Sequence, residues 1–296
     1  MENIYALKFT TSGRVTISLA KTGSSSSVSL EYSYDGIDWS EWDFNGLTIN
    51  SGDILFIRGY NPNGFSSSSI DYYTFVIKGD KVSCSGNIMS LIDYKNLPDA
   101  IPCEYCFHAL FYKCTSLVSA PELPATKLKS FCYYMMFCDC SSLKTAPELP
   151  AMTLAKWCYR NMFDGCSSLK TAPELPAMTL ADCCYYTMFA KCTSLKTAPK
   201  LPATKLADEC YYAMFYECTS LKTAPKLPAK SVKDMCYGRM FYNCTSLTSA
   251  PTQPIASLAE WFAFEMFYGC TSLKAKRSAM SLKEYCQSHL SSMLND

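Results

Sequence analysis

The sequence predicts an α/β repeat fold in which units of 26 residues stack on one another, preceded by a small all-β domain. Three observations predict this fold. The second part of the chain repeats with a fixed period, and one half of each repeat has apolar residues spaced by four. The first 88 residues instead alternate between apolar and polar residues, which is typical of strands.

Two series of cysteines set the period of the repeat. The first series recurs every 26 residues and is continued by Phe262: Cys106, Cys132, Cys158, Cys184, Cys210 and Cys236. The second series has the same spacing: Cys114, Cys140, Cys166, Cys192, Cys218, Cys244 and Cys270. Around them the unit reads LPAxxLxxxCYxxMFxxC[TS]SLKTAPx. Because the central units match closely over this length, they indicate internal duplication.

The first half of each unit predicts an α-helix. Within residues 203–218, Leu206, Cys210 and Met214 are four residues apart, which places them on one face of a helix. Thr204 is a suitable N-cap residue for this helix. We therefore expect one amphipathic helix in every unit.

The second half of each unit, SLKTAP, predicts a short strand with its leucine inward and its lysine outward. Prolines such as Pro225 end the strand, since proline has no N–H to donate to a sheet. A helix and a short parallel strand in every unit is the geometry of a leucine-rich-repeat solenoid. The sequence predicts about seven such units over residues 106–273, a connector at 89–105 and a capping helix at 274–296.

Residues 1–88 predict a β-sandwich-like domain. Seven alternating runs are separated by turn signals: IYALKFT, RVTISLA, SVSLEYSY, GLTIN, DILFIRGY, YYTFVIKG and VSCSGNI. Trp39 and Trp42 follow a hairpin turn that is predicted at Asp35-Gly36. They have two explanations: a carbohydrate-binding edge, or ordinary packing within the hairpin.

The F-x-x-C-x-S-L core of the repeat resembles the BspA-like leucine-rich repeats. The longer APxLPAxxLxxxCYxxMF pattern is similar to repeat arrays of the Bacteroides type, on surface proteins or encoded by phages and mobile elements. In that family a β domain ending in GNIMSL commonly precedes the array, and here GNIMSL occupies residues 86–91. The resemblance implies a leucine-rich-repeat fold and a role in adhesion or surface recognition.

Composition and motifs predict that the chain is not an enzyme. The net charge is +1, only two histidines are present, and neither nucleotide-binding glycine motifs nor a catalytic constellation is found. No segment approaches the roughly 20 apolar residues that span a bilayer, and the first twenty residues lack the features of a secretory signal. We expect no cofactor, no metal ion, no nucleic-acid partner and no membrane insertion.

The cysteines have two explanations. They are buried small residues whose thiols cap backbone carbonyls, or they are paired as disulfides in an extracellular protein. Phe262 in place of a cysteine favours the first explanation. The better candidates for oxidation are the cysteines outside the two series: Cys84, Cys103, Cys138 and Cys183.

The spacing Cys103-x-x-Cys106-x-His108 matches part of a zinc site. However, Cys106 belongs to the repeat series, and no second pair of ligands accompanies it. We therefore expect no zinc here. His108 and His289 also have no catalytic partner nearby in the sequence.

A row of lysines is the first candidate binding surface. Equivalent positions of four successive units hold Lys144, Lys170, Lys196 and Lys222. If these side chains stack outward from the strands, they either form a solvated face or bind an anionic or polar partner.

Tyrosines at variable positions are the second candidate surface. These positions differ among units that are otherwise nearly identical, so packing does not fix them. The candidates are Tyr134, Tyr186, Tyr212, Tyr216, Tyr242 and Tyr268. They either bind a protein or glycan, or pack as half-buried ridges.

The sequence therefore predicts a non-catalytic recognition or adhesion protein that binds a protein or glycan through its repeats. We expect it to be displayed on a bacterial surface or a phage particle. The alternative is a structural or assembly subunit without a specific ligand.

Overall fold

The computed structural model of the chain describes residues 5–23, 27–251 and 261–273. In these residues the architecture is almost entirely β. The capping helix that we predict at 274–296 lies outside them, as does the first part of the last unit.

Eight strands form the N-terminal part of the structure, and each of the seven alternating runs contains one of them. The eight strands are β1 (Leu7–Thr11), β2 (Val15–Thr22), β3 (Leu30–Ser33), β4 (Ser40–Glu41), β5 (Leu47–Ile49), β6 (Ile54–Gly59), β7 (Tyr72–Gly79) and β8 (Val82–Ser85). Strand β4 is the addition that the alternation did not predict. Its two residues are both exposed, so it has no apolar face to mark it in the sequence.

These strands belong to two sheets that share one core. The larger sheet has the order β4-β3-β6-β1-β8-β9, where β9 (Leu117–Ser119) comes from the first repeat, and the smaller has the order β5-β2-β7. Phe9 of β1 and Phe75 of β7 meet between the sheets, with ring centroids 5.6 Å apart. Both side chains are buried, so alternate residues of β1 and β7 form the core between the sheets.

The N-terminal sheets continue into the repeats without a break in hydrogen bonding. Strand β9 pairs in parallel with β8. The Phe75 N–H donates to the Leu110 carbonyl (2.7 Å), and the Phe75 carbonyl accepts the thiol of Cys114 (3.1 Å). The ring of Phe75 also stacks on Phe111, with centroids 5.0 Å apart. The β domain therefore covers the first repeat as one repeat covers the next.

Successive repeats lie in register, each displaced by 26 residues from its neighbour. Two lines of parallel bridges join them. One line runs through Ser119, Thr145 and Thr171, and the other through Lys127, Thr153 and their equivalents. A third contact between repeats is made by the segments predicted to be helical. They are residues 105–114, 131–140, 157–166, 183–192, 209–218, 235–244 and 261–270, here called the turn segments.

The predicted α/β leucine-rich-repeat solenoid is wrong, because the turn segments are not helices. Among the described residues the one α-helix is α1 (Ser90–Asp93), which lies outside the repeats. In residues 209–218 every second N–H bonds three residues back, as Met214 does to Tyr211 (3.2 Å), rather than four. The fold implied by the resemblance to leucine-rich repeats is overturned with it.

The remaining N–H groups of a turn segment bond to the next repeat. In residues 209–218 the donors are the odd-numbered residues, and each bonds the carbonyl 25 residues ahead, as Phe215 does to Met240 (2.9 Å). The hydrogen bonds within one repeat and those between repeats therefore alternate along the chain. A helix would pair all of these groups within one segment and leave none to join the repeats.

Three residues of each turn segment have a positive φ, four residues apart. In residues 209–218 they are Glu209, Ala213 and Glu217, with φ of 52°, 50° and 57°. A left-handed residue in every four reverses the chain repeatedly and prevents a helix. Most of these positions are not glycine, so each costs roughly 1–2 kcal/mol, which the bonds between repeats offset.

Two columns of buried rings run through the array. Phe111 and its equivalents stack at centroid distances of 5.4–5.9 Å, with planes within 16° of parallel. Tyr133 and its equivalents form the second column at 5.7–5.9 Å. Offset-stacked rings at this spacing are favourable beyond their burial alone.

The cysteines of the second series cap the column of phenylalanines. Each thiol donates to the carbonyl of a phenylalanine in the preceding repeat, as Cys192 does to Phe163 (3.2 Å) and Cys218 to Phe189 (3.0 Å). Burial raises the pKa of both thiols, which keeps them protonated as donors. All described cysteines are free, so none is paired as a disulfide in this structure.

We predict that the far-UV circular dichroism spectrum of the full chain has far less helical intensity than seven helical turn segments would give. The turn segments bond three residues back and across to the next repeat, so the helical amide arrangement is absent from them. A spectrum with helical intensity matching seven segments of ten residues would contradict this structure. As a control, the spectrum should change cooperatively on heating, which shows that it was recorded from folded protein.

We predict that Thr187→Ala stabilises the protein by about 1 kcal/mol, because a buried hydroxyl without a hydrogen bond is costly. The Thr187 Oγ1 has no partner, and Ala109 and Ala213 occupy the equivalent position in other repeats. The measurement is the midpoint of urea unfolding. Thr193→Ala is the control, since that hydroxyl is exposed and donates to Ser167 (3.4 Å). If the urea midpoint of Thr187→Ala is not higher than that of Thr193→Ala, the Thr187 hydroxyl is not a destabilising group.

Candidate functional site

The turn segments place two residues inward and the next two outward. In residues 209–218, Tyr211, Met214 and Phe215 are buried, whereas Tyr212 and Tyr216 are half-exposed. This pattern of four resembles a helical period, but it gives the segment a buried face and a regular outer surface. Residues at one position of successive repeats form a row across this surface.

Four residues form a central row on the outer surface of the turn segments, and a buried histidine continues the row into the first repeat. The four are Tyr134, Arg160, Tyr186 and Tyr212, and the histidine is His108. The His108 and Tyr134 rings stack with centroids 4.8 Å apart, and so do the Tyr186 and Tyr212 rings. Arg160 joins the two pairs, with its guanidinium carbon 5.6 Å from the Tyr134 centroid and 4.6 Å from the Tyr186 centroid. The row is therefore continuous through a cation–π contact.

Gly238 ends the central row. A Cβ at this position would lie 2.8 Å from the Tyr212 ring. The glycine therefore allows the Tyr212 ring to lean over the next repeat. A larger residue here would push the ring outward.

Three tyrosines form a distal row near the other end of the array. The rings of Tyr216 and Tyr242 are 4.9 Å apart, and those of Tyr242 and Tyr268 are 4.8 Å apart. Tyr268 is 57% exposed, and the other two are half-buried. Arg239 flanks the row, 5.8 Å from the Tyr242 centroid, and forms an ion pair with Glu265. All six tyrosines singled out in the sequence thus lie on the outer surface, stacked in rows.

A proximal row of larger rings was not identified from the sequence. The rings of Tyr105 and Phe131 stack at 4.5 Å, and those of Phe131 and Trp157 at 5.5 Å. Their position is also variable among repeats, with Cys183 and Glu209 following, and that variability was the available signal. We name the proximal, central and distal rows together the outer aromatic face.

Stacking decides what the outer aromatic face presents to a partner. A ring within a row has both faces covered by its neighbours, so its edge and, in tyrosine, its hydroxyl remain accessible. Such a surface offers apolar edges, phenol donors and the two guanidinium groups of Arg160 and Arg239. Burial raises the pKa of Tyr186, so its hydroxyl is a donor at neutral pH.

The four lysines of the first candidate surface lie elsewhere on the repeats. Lys144, Lys170, Lys196 and Lys222 are all exposed, and the leucine before each is fully buried. Backbone bonds join them in register, as from Lys170 to Lys144 (3.4 Å). The four ion pairs found among the described residues do not include these lysines. The row is thus a line of positive charges without carboxylate partners in direct contact.

Asp164 interrupts the position that the distal row occupies in other repeats. Burial raises the pKa of its carboxyl, although the Asn161 side-chain amide donates to it (3.1 Å) and opposes the shift. Together with Cys138 and Ala190 at the same position of adjacent repeats, this partly buried carboxylate separates Tyr112 from the distal row.

The N-terminal tryptophans are engaged in packing. Trp42 is buried, and its Nε1 donates to the Asn45 carbonyl (2.8 Å). Trp39 is half-buried, with the Arg58 guanidinium 3.6 Å from its ring centroid, and Arg58 also lies 4.0 Å from the Tyr94 ring. One face of Trp39 is therefore covered, which favours packing over a carbohydrate-binding edge.

A cavity of about 410 Å³ lies beside this arginine. Glu31, Tyr60, Asp93 and Asn96 are among its lining residues. The carboxylates are occupied, Glu31 by Arg58 (2.9 Å) and Asp93 by the Asn96 amide (2.7 Å). The cavity therefore offers few free polar groups to a ligand.

The histidine and cysteine side chains form no metal site in the described part of the chain. His108 is buried, and its Nδ1 bonds the Tyr134 carbonyl (2.9 Å). Burial lowers the pKa of His108. No three histidine, cysteine or carboxylate side chains converge within residues 5–23, 27–251 and 261–273. In the same residues no helix has the length and apolar character needed to cross a bilayer.

No family model, curated protein or solved structure matches this chain. The resemblance to BspA-like proteins of the Bacteroides type thus rests on the quoted motifs alone.

We predict that Asp164→Asn raises the urea midpoint at neutral pH. The folded protein prefers the protonated carboxyl, because its pKa is raised above the ordinary 3.8. Stability from this group is therefore complete below 3.8 and is lost as pH rises through the folded pKa. Asparagine stays neutral, so its advantage appears at neutral pH and shrinks on acidification.

Glu174→Gln is the control for this prediction, since it removes the same charge from an exposed position. It should leave the urea midpoint nearly unchanged at both pH values. An equal increase for Glu174→Gln would show that net charge rather than burial of Asp164 is responsible.

Proposed function

We propose that this chain is a non-catalytic recognition protein whose outer aromatic face binds another protein. One observation carries the proposal: repeats that agree at their buried positions differ on this face, where tyrosines stand in rows. Tyr216, Tyr242 and Tyr268 form such a row. Tyrosine and arginine are the residues most often found at the energetic centre of protein interfaces.

The stacked arrangement supports a protein partner over a glycan. A sugar that packs on an aromatic residue lies against the face of the ring. In the central and distal rows a neighbouring residue covers at least one face of each tyrosine ring, as Tyr186 and Tyr212 cover each other. Ring edges and hydroxyls instead suit the mixed apolar and polar surface of a protein.

Rigidity favours binding by these rows. The tyrosines are held by stacking on neighbouring residues, and their backbone is bonded to the next repeat, as Ala213 is to Gly238 (2.7 Å). Few side chains of the outer aromatic face therefore lose conformational freedom when a partner binds. Surfaces held in the bound arrangement lose less entropy on association.

The lysine row is a secondary part of the proposal. Lys144, Lys170, Lys196 and Lys222 add positive charge without direct carboxylate partners, which accelerates the approach of an acidic partner. Display on a bacterial surface or phage particle is part of the same proposal and is supported by the repeat motifs alone.

The test is a binding screen of the labelled full chain on protein and glycan arrays at micromolar concentration. We expect protein ligands whose affinity falls about tenfold or more in Tyr216→Ala/Tyr242→Ala, since interface tyrosines commonly contribute 1–2 kcal/mol or more. Tyr242→Phe separates the ring from its hydroxyl, because phenylalanine retains the stacking. The affinities are measured by surface plasmon resonance on each ligand found.

Lys170→Ala/Lys196→Ala is the matched control, because it changes two exposed residues of adjacent repeats outside the outer aromatic face. It should alter the salt dependence of binding and leave the effect of the tyrosine substitutions on affinity unchanged. Ligands that are insensitive to the tyrosine variants, or a screen that finds only glycans, would contradict the proposal. A stable homo-oligomer in light scattering, with no other ligand, would favour the alternative of an assembly subunit.

A further inference from the structure

Cys103 differs from every other cysteine that the structure describes. It is partly exposed, whereas the other described cysteines are buried. It belongs to neither repeat series, and the equivalent positions of other repeats hold lysine or alanine. The first repeat therefore carries an accessible thiol that the packing of the array does not require.

A second thiol lies next to it. Cys106 is fully buried, and its side chain lies beside that of Cys103. Both sulfurs lie against Gly64, where an added Cβ would be 3.6 Å from the Cys106 sulfur and would collide with that of Cys103. Gly64 has a φ of 106°, so a side chain there is excluded by both conformation and space.

The two thiols are not equivalent. The hydrogen bond from Cys106 lowers the pKa of Cys103, although partial burial and the Glu104 carboxylate oppose it. Burial raises the pKa of Cys106 well above its ordinary value. Cys103 is thus the thiol that ionises first and that solvent reaches, and Cys106 is the protonated, shielded one.

We propose that Cys103 and Cys106 form a redox-active dithiol that is oxidised by small disulfides such as oxidised glutathione. The Cys103 thiolate attacks one sulfur of that disulfide, whose S–S bond breaks, and one glutathione thiolate leaves with the electron pair. Cys106 then loses its proton to solvent and attacks the Cys103 sulfur, which expels the second thiolate. Two protein thiols are oxidised to one disulfide, and one small disulfide is reduced to two thiols.

The surroundings favour the second attack over a lasting mixed disulfide. Both sulfurs lie against Gly64, so ring closure needs no large movement. The Cys103 thiol also donates to the Ser66 carbonyl (3.5 Å), and the Ser66 N–H donates to the Cys106 carbonyl (3.0 Å). The pair is therefore held between the loop at 64–66 and the first turn segment.

The first experiment treats the folded, reduced full chain with limiting N-ethylmaleimide and locates the label by peptide mass spectrometry. We expect Cys103 to react about tenfold or more faster than any other cysteine that the structure describes, since buried thiols are inert. The second experiment replaces the alkylating reagent with oxidised glutathione. We expect a Cys103–Cys106 disulfide in the wild type and a stable glutathione adduct on Cys103 in Cys106→Ala.

Two variants keep the result interpretable. Cys103→Ser should form neither the disulfide nor the adduct, and its partly exposed position makes it tolerant of the change even if Cys106→Ala fails to fold. Cys183→Ala is the control, because it removes a buried cysteine next to another cysteine, and it should behave as the wild type. A wild-type chain that retains glutathione on Cys103, or labelling spread evenly over many cysteines, would overturn the proposal.

Discussion

The structure depends on the hydrogen bonds that join one repeat to the next. In each turn segment every second N–H reaches the carbonyl 25 residues ahead, and the remaining N–H groups close turns within the repeat. Neither set alone pairs the whole backbone. Because unpaired buried amides are costly, a turn segment is fully satisfied only between two neighbours. The β domain supplies that neighbour for the first repeat, where Phe75 bonds Leu110 as Phe111 bonds Met136.

This register determines both the inside and the outside of the array. It brings Phe163 above Phe189 and holds the thiol of Cys192 against the Phe163 carbonyl. The same displacement brings Tyr186 above Tyr212 on the outer surface. Outer residues therefore vary in type without changing the backbone, and chemically different rows stand on one scaffold. The proposed recognition surface is a consequence of this separation between bonding and side-chain identity.

The sequence predicted the repeat, its buried residues and the N-terminal strands, because each follows from periodicity. It did not predict the conformation of the turn segments. Cys210, Met214 and Cys218 are four residues apart. This spacing places buried residues on one face both in an α-helix and in a series of turns, so it does not distinguish the two conformations. The left-handed residues gave no signal, since Glu209 and Ala213 are ordinary in a helix. Five of the six variable tyrosines are half-buried in stacked rows, as in the second explanation considered for them, and Tyr268 is exposed. Trp157 was missed although its position also varies among the repeats.

Because the repeats are bonded in register, the array changes in length most easily by whole repeats. Duplication of one whole unit inserts a repeat whose two surfaces already match those of its neighbours. The contacts between successive repeats are alike, as the bonds from Cys192 to Phe163 and from Cys218 to Phe189 show. An insertion of an odd number of residues within a turn segment exchanges the N–H groups that bond within the repeat with those that bond to the next repeat. Nearly identical units also promote recombination between them. The array is therefore able to lengthen or shorten by whole coils, and each event adds or removes one residue from every outer row.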